Sequence, residues 1–314
     1  MSRGGGFVLA LSGGIGGAKL ALGLYRVLPP GALTIVANTA DDFEHLGLQI
    51  SPDLDTLLYT LAGLDNPQTG WGRRGETWTF MAALEALGGE TWFKLGDGDL
   101  ATHIERTRRR RAGESLSAIT DDFRRRFGIS ARLLPMSDDH VRTRLLTDEG
   151  WLDFQDYFVR RHSMPAVREI AIEGAGTACA QPEFLAALAD DDLRMVVICP
   201  SNPLISIDPI LSIPGVRDAL RSSRAPVVAV SPIIGGKAVK GPTAKMMAEL
   251  GMHVDAIGVA GHYSDILDHY VIDTVDAGAG GALDAEITAT RTLMETIEDR
   301  EALARVVLAA GEGG

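Results

Sequence analysis

Positive charge is scarce in this chain. Its 314 residues carry 30 lysines and arginines against 42 aspartates and glutamates, a formal net charge of −12. Such a chain does not hold duplex nucleic acid by neutralising phosphates, so an anionic ligand must be met locally, by helix N-termini, a metal ion or a few lysines. Cysteine is scarcer still. Cys179 and Cys199 make no disulfide framework, and Cys199, at the end of an apolar run, reads as a buried free thiol. The seven histidines lack zinc-ligand spacing. No apolar run has the length of a membrane span, and the one after residues 1–6 is too short for a signal peptide. A reduced, cytoplasmic protein is expected.

Hydrophobic residues at 46% and charged residues at 23% suit a globular protein with a substantial core. Short apolar runs, most of them rich in β-branched residues, stand at 7–10, 33–37, 195–199, 227–230, 257–260 and 270–272. They are continuous rather than alternating, as in parallel strands covered on both faces, and helical patterns separate most of them. The expected fold is α/β: one doubly wound, Rossmann-like domain over 1–314, with helices on both faces of a parallel sheet. Runs at 131–135, 141–146 and 151–154, the last two joined by Asp148-Glu149-Gly150, predict a small antiparallel α+β insertion between about residues 128 and 168. The tail after Ala310 is expected to be disordered.

The most informative stretch is Leu11-Ser12-Gly13-Gly14-Ile15-Gly16-Gly17-Ala18-Lys19, between the first apolar run and a helix-period pattern. Strand, glycine turn and helix together present free backbone N–H groups to phosphate oxygens. A dinucleotide fingerprint needs glycine where Lys19 stands, and no Gly-Lys-Ser/Thr of a Walker loop follows. The competing reading is a tight connection with no ligand.

Further polar clusters fall near strand ends, where open α/β sheets bind ligands. Asn38-Thr39-Ala40-Asp41-Asp42 follows the 33–37 run, and its carboxylates suit a ribose or Mg²⁺, or simply cap a turn. In Ser51-Pro52-Asp53-Leu54-Asp55-Thr56, Ser51 fits an N-cap and Pro52 the first helical position. Asp53 and Asp55 lie off the Leu54, Leu57, Leu58, Leu61 stripe; they favour the helix dipole, and Asp55 is a candidate base or metal ligand. Ser201 and Asn202 are placed to hydrogen-bond a base or phosphate, and the loop after Ser231, with Lys237 and Lys240 between glycines, suits a phosphate grip. Lys94, in a strand-like context before Gly96-Asp97-Gly98-Asp99, either meets an anionic partner such as Asp55 or Asp97, or a ligand, or packs its stem while its head reaches water. Arg106 and Arg108 to Arg111 read as the solvated end of a helix.

In combination these motifs resemble the 2-phospho-L-lactate transferase family. The resemblance rests on Asn38 to Asp42, Ile50 to Tyr59, Gly70-Trp71-Gly72, Leu95-Gly96-Asp97 with Ala101-Thr102-His103, and Leu134-Pro135-Met136-Ser137-Asp138-Asp139. It extends through Phe154-Gln155-Asp156, Pro200-Ser201-Asn202-Pro203 and Ser231-Pro232-Ile233-Ile234-Gly235, in order along nearly the whole chain. It implies transfer of a phospho-acid (2-phospho-L-lactate, or its phosphoenolpyruvyl or 3-phosphoglyceryl counterpart) from a GDP-activated donor to the deazaflavin Fo. GMP is released, and the product belongs to coenzyme F-420 biosynthesis. It further implies Mg²⁺, a homodimer and a partner guanylyltransferase that makes the donor.

Residue by residue, the resemblance assigns Asp55 and Lys94 to Fo, and the chemistry of the displacement makes Asp55 the candidate to orient or deprotonate the attacking hydroxyl. Gly13, Gly14, Gly16, Gly17, Lys19, Asn38, Thr39, Ser201, Asn202 and Lys237 fall around the nucleotide and its phosphates, and Asp41 with Asp55 would hold the metal. Gly98 stands where the family usually has arginine, and Ala40 where it often has glycine. Two other functions remain in play: a non-enzymatic nucleotide-sugar-binding regulator of related fold, and a nicotinamide-dependent dehydrogenase, disfavoured by Lys19.

Overall fold

The computed structural model describes residues 6–282 and 285–313. The chain opens with β1 (Phe7–Ser12), α1 (Gly14–Val27) and β2 (Leu33–Ala37), then a small hairpin, β3 (Phe43–His45) and β4 (Leu48–Ile50). Four helices follow: α2 (Pro52–Leu61), α3 (Thr79–Ala86), α4 (Asp97–Arg111) and α5 (Leu116–Arg126). Next come β5 (Arg132–Pro135), β6 (Arg142–Thr147), β7 (Gly150–Asp153), β8 (Val167–Glu173), β9 (Leu193–Ile198) and β10 (Val227–Val230). The short pair β11 (Ile233–Ile234) and β12 (Lys237–Ala238) precedes β13 (His269–Asp273), β14 (Glu286–Thr290) and a C-terminal helix, Ile297–Glu312.

Seven strands form one parallel sheet in the order β14-β13-β10-β9-β1-β2-β5. The chain builds outward from β1 on one side, then crosses back to β9 and builds outward on the other. Alternate residues of β1 show why the apolar runs are unbroken. Val8 and Ala10 pack with α1, α2, α5 and the C-terminal helix. Leu9 and Leu11 pack on the opposite face, in the core that also holds Leu145, Leu152 and Phe184. Both faces are covered, so both side-chain registers must be apolar.

Four expectations change. Residues 257–260 lie in a helix, Ala256–His262, whose Asp255 side chain accepts the Gly258 N–H; a short buried apolar run has no period of its own to separate helix from strand. Residues 132–135 form the β5 edge of the main sheet, and the antiparallel sheet is β7-β6-β8, from Arg142 to Glu173. Residues 311–312 continue the C-terminal helix, and Gly314 lies outside the described residues. Lys94, expected in a strand-like context, lies outside any strand in the loop before α4, whose first turn is held by Glu76 accepting the N–H groups of Gly98 (2.6 Å) and Asp99 (2.8 Å).

Candidate active site

The strand order reverses between β1 and β9, and a cleft of about 650 Å³ opens beyond their carboxyl ends. Gly13, Gly14, Gly16, Lys19, Asp41, Lys94, Ser201 and Asn202 line it; Gly17, Asn38, Thr39, Asp55 and Lys237 do not. The two halves of the sheet are laced together at this point. Ser201 Oγ accepts the Gly13 N–H at 3.1 Å and donates to the Gly13 carbonyl at 2.8 Å. Glycine is required twice here. Gly14 has φ of +65°, and a Cβ on Gly16 would stand 2.5 Å from the Pro200 carbonyl oxygen.

The turn's first two amides are already engaged, Gly13 by Ser201 and Gly14 by Asp53 at 2.8 Å. The N–H groups left at the uncapped start of α1 are those of the next residues, beginning with Ile15 and Gly16, and Lys19 follows one turn later on that side. Gly17 is buried against the hydroxyls of Ser12 and Ser201, so its role is close packing. Asn38 is a brace. Its Nδ2 donates to Asp53 Oδ2 (3.0 Å) and the Ile205 carbonyl (3.2 Å), while its Oδ1 accepts the Ala40 N–H (2.9 Å). Thr39 is buried and joins that turn through its carbonyl, which accepts the Asp42 N–H.

Asp41 and Asp53 form the acidic centre of the cleft. Both are buried, at 6% and 7% exposure, and both line it. Among the described residues, Asp41 Oδ1 has no hydrogen-bond partner. Burial, and then the neighbouring charge of Asp53, pushes Asp41 well above the usual carboxylate range. Burial pushes Asp53 up to about 6 against the bonds from Gly14 and Asn38 that favour its charge. Asp42 is pushed up to about 7 by burial, with Arg142 opposing. Ser51 begins α2 as expected, but its hydroxyl donates to Asp42 Oδ2 at 2.7 Å instead of capping the helix.

Asp55 faces away from this centre. Its two oxygens take the Nη1 (3.0 Å) and Nη2 groups of Arg106, and His103 Nδ1 lies 3.6 Å from its Oδ2. The geometry therefore gives Asp53, not Asp55, to the cleft as Asp41's companion. It also removes Arg106 from the solvated arginine face, for the side chain is 2% exposed. Asp55, Asp99 and His103 have the composition of a metal site, but the Arg106 guanidinium already supplies the cation there.

The cations differ from expectation too. Lys94 is exposed at the cleft, and among the described residues it pairs with neither Asp55 nor Asp97, which instead accepts Thr77 Oγ1 and the Thr79 and Phe80 N–H groups. Lys240, not Lys237, is the cleft lysine of the 233–242 loop. Its Nζ lies 3.5 Å from the Thr69 carbonyl, across from Lys19, whose Nζ donates to the Met294 carbonyl at 2.6 Å. Burial, Arg300 and Lys240 lower the Lys19 pKa.

An aromatic wall is not legible in the sequence, because its parts are far apart in the chain. Trp92, Phe93 and the stacked pair Phe154 and Phe158 (ring centroids 5.4 Å apart) line the cleft, with Arg160 over the Trp92 ring. Gln155, between those phenylalanines, donates to the Asp41 carbonyl at 3.2 Å and ties the wall to the acidic centre. Gly98 and Ala40, the two departures, do not line the cleft.

Solved structures show the same fold at low identity: a UPF0052-family protein from Bacillus halodurans matches with a TM-score of 0.62 and 14% identity, covering 96% of this chain and 98% of that one. Curated relatives are far nearer in sequence. A phosphoenolpyruvate transferase from Kitasatospora aureofaciens is 42% identical, covering 97% of this chain and 98% of the relative. A 2-phospho-L-lactate transferase from Methanosarcina mazei is 41% identical, covering 96% and 100%. The family model for 2-phospho-L-lactate transferase CofD matches residues 8–305, and the chain belongs to that family.

Proposed function

We propose that the chain transfers a phospho-acid from a GDP-activated donor to the terminal ribityl hydroxyl of the deazaflavin Fo and releases GMP. The observation that carries this reading is a buried carboxylate pair, Asp41 and Asp53, with one oxygen unpartnered, set between a glycine turn and an aromatic wall. The aromatic wall suits a planar, largely apolar ring system, with Lys94 at its edge. The start of α1, Lys19 and Lys240 suit the diphosphate, with Ser201 and Asn202 beside the nucleotide. No covalent nucleophile is needed, because displacement at phosphorus depends mainly on in-line positioning and charge neutralisation.

Two buried carboxylates, Asp53 raising the pKa of Asp41 and Asp41 keeping an oxygen with no partner among the described residues, are a donor set for a hard cation such as Mg²⁺. Asp41 and Asp53 would hold it, and when bound it would neutralise charge developing on the leaving diphosphate oxygen. The protein's own part is to hold the two carboxylates through Asn38, Gly14 and Gln155, and to keep water off the acceptor with the aromatic wall.

The donor acid is open between the two relatives' printed names, since 42% and 41% identity do not separate them. A partner guanylyltransferase, a homodimer and a cytoplasmic setting complete the proposal. Among the described residues no helix is long and apolar enough to cross a membrane.

The test is a coupled assay with Fo, Mg²⁺, GTP, a guanylyltransferase and each phospho-acid in turn, read by mass spectrometry of the deazaflavin. A product with one acid is expected and names the donor. No product with any acid, while a control transferase succeeds on the same donors, overturns the reading and favours a nucleotide-sugar-binding regulator.

A further inference from the structure

Helix α2 presents two carboxylates from one turn in opposite directions. Residues two apart on an α-helix point about 200° apart, so when Asp53 faces the glycine turn, Asp55 must face the helices behind. What lies behind is a closed, buried assembly. Arg106 on α4 grips both oxygens of Asp55 and lies 3.4 Å from the Gln49 carbonyl, on the strand that leads into α2. One turn beyond Asp55, Tyr59 donates to Asp99 Oδ1 (2.6 Å) and contacts Thr102 Oγ1 (2.9 Å). His103 lies between the two acids, its Nδ1 3.4 Å from Arg106 Nη1 and its Nε2 3.0 Å from Asp99 Oδ2. None of these side chains lines the cleft.

We propose that Arg106 is a positioning residue for the Asp41 and Asp53 pair, acting through Asp55. The inference rests on the reading of that pair as the reacting centre. Arg106 and Tyr59's partners hold α2 at two points one turn apart, which fixes the roll of the helix about its axis. That roll decides whether Asp53 meets Gly14 and Asn38. The same clamp holds the end of β4, and so Ser51, whose hydroxyl orients Asp42 beside Asp41. A buried ion pair is a poor device for stability, since apolar side chains of similar volume often replace it at no loss. It is a good device for direction, because a guanidinium meets a carboxylate in one planar, two-point geometry.

The experiment compares Arg106→Met, Arg106→Lys and the charge-neutral pair Asp55→Leu with Arg106→Met, in the full-length protein. The readouts are melting temperature, Mn²⁺ affinity by electron paramagnetic resonance, and kcat and acceptor KM in the coupled assay. The double variant is expected to melt within about 3 °C of the parent, because neither charge is left buried alone. Its kcat is nonetheless expected to fall about 100-fold, with acceptor KM within about threefold, as for a reacting group displaced by about an ångström. Mn²⁺ affinity is expected to fall about tenfold in Arg106→Met; loss of a nearby positive charge alone would tighten it. Arg106→Lys is expected to recover part of kcat.

If Arg106→Met does not fold, the double variant carries the test. Recovery of kcat to within about threefold in the double variant, or tighter Mn²⁺ binding in Arg106→Met, overturns the proposal. A parent protein without turnover that still binds Mn²⁺ refutes the transferase reading alone, and the Mn²⁺ comparison then decides the role of Arg106. A parent that neither turns over nor binds Mn²⁺ overturns both.

Discussion

Asp53 and Asp55 are the same residue type, two positions apart on the first turn of one helix, and both are nearly buried. Asp53 ends in a cleft among groups that leave its charge uncompensated, beside a second carboxylate in the same condition. Asp55 ends against a guanidinium that meets both of its oxygens. Burial alone therefore does not mark a reactive group. A buried charge left unneutralised is costly, and its persistence signals a ligand that is yet to arrive. A buried charge with a bidentate partner signals architecture.

The largest expected effect comes from breaking the cleft side of this contrast. Asp53→Asn preserves the shape and the Asn38 contact region but removes the charge, and kcat is expected to fall about 10³-fold while the fold persists. Turnover within threefold of the parent would place the chemistry elsewhere.

The contrast is also sharpened by pH. The folded pKa values of Asp53 and Asp42, about 6 and about 7, lie above the ordinary 3.8. The folded state then binds more protons than the unfolded state between roughly pH 4 and 7. Their contribution to stability is complete below pH 4 and is lost as pH rises through the folded values. In metal-free protein the melting temperature of Asp53→Asn, relative to the parent, is expected to rise from pH 4.5 to about 6 and then level off. A pH-independent difference would contradict the burial argument. Adding Mg²⁺ at pH 8 is expected to raise the parent's melting temperature and leave Asp53→Asn nearly unchanged, as thermal denaturation would show.

Smaller effects separate the two loop lysines. Lys240→Met is expected to raise the donor KM about tenfold with little change in kcat, the loss of one charge-assisted contact. Lys237, exposed and outside the cleft, is expected to tolerate the same change within about twofold. Steady-state kinetics with saturating acceptor measures both, and equal effects would mean the loop closes differently on the donor.

Much of this was legible in the chain. The unbroken runs of β1, β2, β9, β10 and β13 reveal a parallel sheet because covering both faces demands apolar residues in both registers. The glycine turn announces itself because few residues tolerate its backbone. Asp53 was visible as a carboxylate off the apolar stripe of α2, but spacing does not say which side of a helix is the front. That depends on where β1 and α4 lie. Arg106 was hidden for the same reason: in a run whose other arginines are exposed or half-buried, nothing local marks the one turned fully inward toward a carboxylate 51 residues away. The aromatic wall joins Trp92 and Phe93 to Phe154 and Phe158 across the fold, a proximity only the tertiary structure supplies.

The most direct test of where the chemistry sits is a crystal of the protein soaked with Mn²⁺ and GDP, with an anomalous difference map. The account predicts one strong peak ligated by Asp41 and Asp53, with Asp55 still paired to Arg106. A peak ligated by Asp55, with Arg106 displaced, would contradict it.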